Sequence, residues 1–191
     1  YLVLGKLYHN VLDKNIFPSF VCSCIPQIDM MSVLEEAYVI ENRYPSEEVS
    51  NEGGYHSPQF ENDKFLKLRD IVIDFCNDLL YQKGLGLQVN NVSYWCNINK
   101  SYNYNVMHNH GRADLIGIYY VQLPPNSGNL VVMRNDGSQY TDLYENRADM
   151  LEYTIEPEAG RLYVLPGHLW HYVTGSNVTR DRISISFNIY T

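Results

Sequence analysis

Basic residues are scarce in this sequence: Lys and Arg together number 14 against 22 Asp and Glu, for a formal net charge of −8. The few that occur stand singly, so no basic cluster is available to grip a phosphate backbone, and the composition argues against a nucleic-acid partner. Long apolar runs are also missing. None approaches the roughly 20 residues that a membrane-crossing helix needs. No signal peptide is legible, although the chain opens on Tyr1 instead of Met and an N-terminal extension is to be expected. Cysteine is sparse at 4: Cys22, Cys24, Cys76 and Cys96. Cys22 and Cys24 form a single C-x-C with no second close pair, which excludes a four-thiolate metal site and suggests free thiols in a reducing, cytoplasmic compartment.

What is present suits a folded globule. Apolar residues make up 45% of 191 residues, enough for one domain with a substantial core. The chain changes character once. Residues 28–42 place Ile28, Met31, Leu34, Ala37 and Tyr38 at helical spacing, with Ser32 as candidate cap. Residues 60–81 predict a second helix through the stripe Phe65, Leu68, Val72, Phe75, Leu79 and Leu80, stopped by Gly84 and Gly86. Between them, Ser50 to Pro58 reads as a loop around Gly53 and Gly54.

Beyond residue 87 the period becomes two. Strands are expected at 88–97, 103–110, 115–123, 129–134, 151–155, 161–165, 169–174 and 182–190, with turns at Pro124–Gly128, Asn135–Gly137 and Glu156–Gly160. About eight short strands so punctuated predict a mainly β fold with flanking helices, a double-sheet jelly roll of the cupin-like, double-stranded β-helix kind. Residues 1–191 are then a single domain, with 1–87 a flank packed on the sheet and 88–191 the core.

Histidine carries the chemistry. His108 and His110 stand at i and i+2, so a strand would aim both imidazoles at one face, where they can converge on one ion. His171 follows the Pro166-Gly167 turn on a short strand, sharing a face with Leu169 and Val173, whereas His168 falls in the turn. A jelly roll brings such distant strands together. In 182–190, Ile183, Ile185, Phe187 and Ile189 alternate with Arg182, Ser184, Ser186 and Asn188. If the polar face looks into a cavity, the Arg182 fork and the Ser184 hydroxyl can grip a carboxylate.

With those pieces in place the chain resembles the non-haem iron(II), 2-oxoglutarate-dependent oxygenases, closest to a phage and bacterial group with an H-x-H motif. The likeness runs in order through Asn51 to Ser57, Trp95 to Asn97, His108-Asn109-His110, Leu115 to Tyr120, Pro166 to His171 and Arg182 to Asn188. It implies that His108, His110 and His171 are the iron(II) ligands and that Arg182 and Ser184 hold the remote carboxylate of 2-oxoglutarate. Tyr119 or Tyr120 would add a hydroxyl, and the Gly53–Ser57 loop would lie near the cavity mouth.

The implied reaction hydroxylates a small molecule or a protein side chain, releasing succinate and CO2. Two departures stand out. The broad superfamily has Asp or Glu where His110 stands, with Asp114 the nearest reserve carboxylate, and Ile116 replaces a frequent Ser. Two other readings stay open: another three-histidine metal enzyme, hydrolytic zinc or cupin-like, and a non-enzymatic jelly-roll structural or binding protein.

Overall fold

A computed structural model describes residues 19–133 and 152–191. Two helices come early. α1 (Met30–Arg43) is capped by Asp29, whose carboxylate accepts from the Met31 and Ser32 amides, so the cap is Asp29 and not Ser32. α2 (Asp63–Gln82) is capped by Asn62, which leaves Phe60 outside the helix. On α2, Phe65, Leu68, Val72, Leu79 and Leu80 are buried as the stripe requires. Cys76 joins them, while Phe75 is only partly buried at the edge of the same core.

All eight expected strands occur. They are β4 (Asn91–Asn99), β5 (Tyr104–His108), β6 (Leu115–Gln122), β7 (Leu130–Met133), β8 (Glu152–Ile155), β9 (Leu162–Pro166), β10 (His171–Val173) and β11 (Arg182–Tyr190). The Asn135–Gly137 turn, residue 134 of the expected 129–134 strand and residue 151 of the expected 151–155 strand lie outside the described residues. Three short strands are additional: β1 (Cys22–Cys24), β2 (Asn51–Glu52) and β3 (Tyr55–His56).

The strands form two antiparallel sheets. One runs β1-β9-β6-β11-β4-β3 and the other β2-β5-β10-β7-β8. The eight later strands thus stand four against four, the double-stranded β-helix arrangement. Alternation along each central strand feeds two cores. One face of the larger sheet (Cys96, Ile98, Tyr119, Ile183, Ile185, Phe187) packs under α1 and α2. Its other face (Ile116, Ile118, Tyr120, Leu165) meets Leu130, Val132 and Ile155 of the smaller sheet. Between the sheets, toward one side, that second core gives way to a cavity.

The segment expected as a plain loop, Ser50–Pro58, is a strap. β2 pairs with β5 in one sheet and β3 with β4 in the other, so two residues, Gly53 and Gly54, cross between sheets. Gly53 has φ +73°, a left-handed conformation that favours glycine, and a Cβ on Gly54 would sit 2.7 Å from Asn99 Oδ1. The thiols of Cys22, Cys24, Cys76 and Cys96 are all free. Among the described residues no helix is long and apolar enough to cross a membrane.

Candidate metal centre

His108, His110 and His171 come together although their segments are far apart in sequence. One ligand atom from each lies within 4.8 Å of the other two. His108 ends β5 and His171 begins β10, and the two are register partners, with ring centroids 4.4 Å apart. His110 lies beyond the end of β5, not on the strand as the 103–110 expectation had it. Its backbone is held instead by hydrogen bonds: its N–H donates to Gly167 O, and its own carbonyl accepts from Ala113. Gly167 sits so close to the Ala113 carbonyl that a Cβ there would collide with it, which makes the Pro166-Gly167 turn the means of bringing the His110 and His171 segments together.

β5 contains a bulge. Asn105 pairs with Val173 and His108 with His171, so three steps on β5 oppose two on β10. Asn105 and His108 both face inward as a result, and Val106 and Met107 are both exposed. Bulges re-aim side chains in this way.

Each imidazole has its Nδ1 committed. His108 Nδ1 lies 2.7 Å from the Val106 carbonyl, His171 Nδ1 2.9 Å from the Leu169 carbonyl, and His110 Nδ1 2.6 Å from Asn188 Oδ1. Carbonyl oxygens only accept, so His108 and His171 carry their protons on Nδ1 and leave Nε2 bare. Burial holds all three rings neutral. It lowers His108, lowers His110 to about 4 with help from the neighbouring His108, and lowers His171 to about 3 for the same reasons. Three neutral nitrogens aimed at one point make a ligand set for a divalent transition metal.

The cavity beside the cluster encloses about 480 Å³, its open mouth included. Register explains its lining. Arg182 faces Asn99, and Ser184 faces Asn97 and Tyr120; Ser186 lies between Trp95 and Ile118. The polar face of β11 therefore looks inward, as the alternation allowed. Arg182 is 3% exposed, and its only side-chain hydrogen bond among the described residues is a 3.4 Å contact from Nη2 to Tyr120 OH. Its Nε has no hydrogen-bond partner among the described residues. No carboxylate among the described residues pairs with it.

The other expected residues divide. Tyr120 lines the cavity, but Tyr119 does not; period two turns it to the opposite face, into the core beneath the helices. Asp114 is exposed and accepts from the Thr191 amide and hydroxyl, away from the cluster. Ile116 lines the cavity as an apolar wall. Gly53 and Gly54 lie against Asn103 and Asn99, and neither glycine is among the residues that line the cavity.

Some neighbours had no role in the sequence reading. Trp95 stacks on His110 (5.7 Å, 21°), and His56 stacks on Trp95 (5.4 Å, 22°). Asn97 donates to Ser186, and Asn99 donates to Asn105, which in turn donates to Ser50. The polar alternation of β11 was the signal for Asn188. For Trp95 and Asn97 it was their place on the strand paired with β11.

Residues 93–188 match the family described as "Putative 2OG-Fe(II) oxygenase". The chain belongs to that family. Iron(II) and 2-oxoglutarate are accordingly the cofactor and cosubstrate of this oxygenase, and its substrate is unidentified. Among solved structures it is similar to a prolyl-4-hydroxylase from Pseudomonas putida, with 16% identity, 89% of this chain and 91% of that one covered, and a TM-score of 0.64. It is also similar to the viral collagen prolyl hydroxylase of Paramecium bursaria Chlorella virus-1 in its 2-oxoglutarate complex (10%, 88% and 94%, TM-score 0.56). A third is an oxidoreductase of the 2OG-Fe(II) oxygenase family from Burkholderia pseudomallei (12%, 89% and 84%, TM-score 0.55). These likenesses establish the fold. No curated protein sequence matches the chain. Family membership sets aside the reading as a non-enzymatic jelly-roll protein.

The residues present fit the cofactor pair. Three neutral imidazoles suit iron(II), and a buried guanidinium without an acid partner among the described residues needs an anion beside it.

Proposed function

We propose that this oxygenase holds iron(II) through Nε2 of His108, His110 and His171, and holds the remote carboxylate of 2-oxoglutarate with Arg182, Ser184 and Tyr120. One observation carries the reading: Arg182 is buried without a carboxylate partner among the described residues, in the same cavity as the histidine cluster. A buried cation left unpaired is expensive, whereas a bidentate carboxylate satisfies it. Ser184 lies one inward position along β11, and Tyr120 is directly opposite Ser184, so two hydroxyls flank the fork.

Iron(II) with 2-oxoglutarate supplies the oxidising chemistry, in which dioxygen is consumed, the 2-oxo acid becomes succinate and CO2, and one oxygen atom passes to a substrate carbon. The chain orients and excludes. Its three imidazoles arrive neutral, so metal binding displaces no ring proton at neutral pH. Arg182 sets which end of the 2-oxo acid faces the cluster. Ile116, Ile118 and Leu130 give the cavity an apolar wall. Substrate enters through the open mouth and is a small molecule or a side chain of another protein.

The domain reading is a single unit over 1–191, supported by the core that α1 and α2 share with the larger sheet. Four unpaired thiols support a cytoplasmic location, that of the host if the chain is phage-encoded.

The test is anaerobic titration of the protein with iron(II) and then 2-oxoglutarate. A visible metal-to-ligand charge-transfer band that saturates at one equivalent of each is expected. No band in a protein that binds iron(II) stoichiometrically would exclude chelation by the cosubstrate.

A further inference from the structure

The three histidine clamps are not equivalent. His108 and His171 are each tied to a backbone carbonyl two residues upstream, Val106 and Leu169. A carbonyl can only accept, so those two rings have one possible arrangement: proton on Nδ1, Nε2 bare. His110 stands past the end of β5, beyond the ladder, and its Nδ1 meets a side chain, Asn188 Oδ1, at 2.6 Å. A carboxamide is ambivalent. Through Oδ1 it accepts and fixes the proton on Nδ1; through Nδ2 it would donate, drive the proton to Nε2 and block the atom that faces the cluster.

From this we propose that Asn188 is a positioning residue that selects the metal-binding nitrogen of His110. The inference rests on the three-histidine reading above. Its position supports it. Asn188 lies on the β11 face that begins at Arg182, opposite Ile116 of β6, and that alternation turns its amide toward His110. Ser186, one inward step earlier, is engaged by Asn97 and does not compete. Trp95 stacks on the His110 ring and sets its plane; Asn188 sets which edge of that plane carries the proton. One strand thereby serves both ends of the site, Arg182 toward the carboxylate and Asn188 toward the metal ligand.

Two variants and two readouts test this. Asn188→Leu keeps approximate shape and removes the acceptor; Asn188→Asp keeps an acceptor that cannot donate when ionised. Long-range proton–nitrogen correlation spectra of the metal-free protein report the His110 tautomer directly. The wild type and Asn188→Asp are expected to show the proton on Nδ1, and Asn188→Leu a mixture with Nε2–H. In anaerobic iron(II) titration, Asn188→Leu should bind about 10- to 100-fold more weakly, the usual cost of losing such a partner. Asn188→Asp should recover most of that loss, which a purely structural role for the amide does not explain.

A wild-type His110 protonated on Nε2 overturns the proposal, as does an Asn188→Leu affinity equal to wild type. If Asn188→Leu fails to fold, the wild-type and Asn188→Asp tautomers still decide it. Failure of the wild type to bind iron(II) would instead count against the three-histidine reading, and the metal-free spectra would judge Asn188 separately.

Discussion

His108 stands opposite His171 across the β5–β10 pair because β5 carries one residue more than β10 between the Asn105–Val173 and His108–His171 partners. The extra residue does two things. It turns His108 to the face that Asn105 already occupies, and it frees the Val106 carbonyl to hold His108 Nδ1 at 2.7 Å. Val106 itself is exposed, so its side chain contributes little. Deleting Val106 should therefore abolish metal binding, at least 100-fold on an iron(II) titration, whereas Val106→Ala should bind normally and change stability by no more than about 0.5 kcal/mol. Circular dichroism separates loss of the site from loss of the fold. A deletion variant that folds and binds iron(II) like wild type would remove the bulge from the account.

Arg182→Ala should weaken 2-oxoglutarate binding by roughly 10- to 1000-fold, since a charge-assisted pair is worth about 1.5–3 kcal/mol and a closed pocket adds the cost of stranding the carboxylate. Arg182→Lys should recover only part of it, because a point charge does not reproduce the fork. Ser184→Ala removes one neutral hydrogen bond and should cost less. Iron(II) affinity should hold within about twofold in all three, because other strands carry the histidines. Calorimetry with 2-oxoglutarate on the manganese(II)-loaded proteins measures the first quantity and anaerobic iron(II) titration the second; equal 2-oxoglutarate affinities for wild type and Arg182→Ala would defeat the assignment.

Tyr120 and Tyr119 give a cleaner contrast, being adjacent and on opposite faces. Tyr120→Phe should lower 2-oxoglutarate affinity several-fold, about 0.5–1.5 kcal/mol for one hydrogen bond, and leave the fold intact. Tyr119→Phe should leave that affinity unchanged, because its ring is packed under the helices. The same binding measurement decides both, and a Tyr119 effect equal to the Tyr120 effect would contradict the sheet register.

Acid should destabilise the metal-free protein through the same histidines. Burial lowers all three, His110 to about 4 and His171 to about 3, while an unfolded histidine titrates near 6.5. Between those values the unfolded chain binds more protons than the folded one, so stability rises with pH across this window. Their contribution is whole above about pH 6.5 and is lost as pH falls toward 3–4. Melting temperatures from pH 7.5 to 4.5 should fall more steeply for wild type than for a His110→Ala, His171→Ala double variant. Parallel curves would show that these rings are not buried neutral.

Much of this protein was determined locally. Alternation in 182–190 sends Ile183, Ile185 and Phe187 to one core and Arg182, Ser184 and Ser186 to the cavity, because a strand has only two faces. The α2 stripe from Phe65 to Leu80 likewise follows from a 3.6-residue period, and Phe75 falls at its margin for the same reason: Cys76 lies closer to the buried centre line. Strand positions were legible for all eight core strands because Gly, Pro and Asn punctuate them.

Tertiary structure decided what periodicity cannot carry. The Gly53-Gly54 pair reads as a loop in sequence, since two-residue strands leave no pattern, yet it joins β2 in one sheet to β3 in the other. His110 reaches the cluster from beyond its strand, held by Gly167 and clamped by Asn188, partners 57 and 78 residues away in the chain. Tyr119 and Tyr120 look equivalent as neighbours; only the pairing of Ser184 with Tyr120 shows which hydroxyl faces the guanidinium. The sequence by itself determined which residue types could share a face, because backbone geometry is local. Which faces meet, and which nitrogen of each histidine is left bare, depended on bulges, turns and hydrogen bonds formed between segments far apart in the chain.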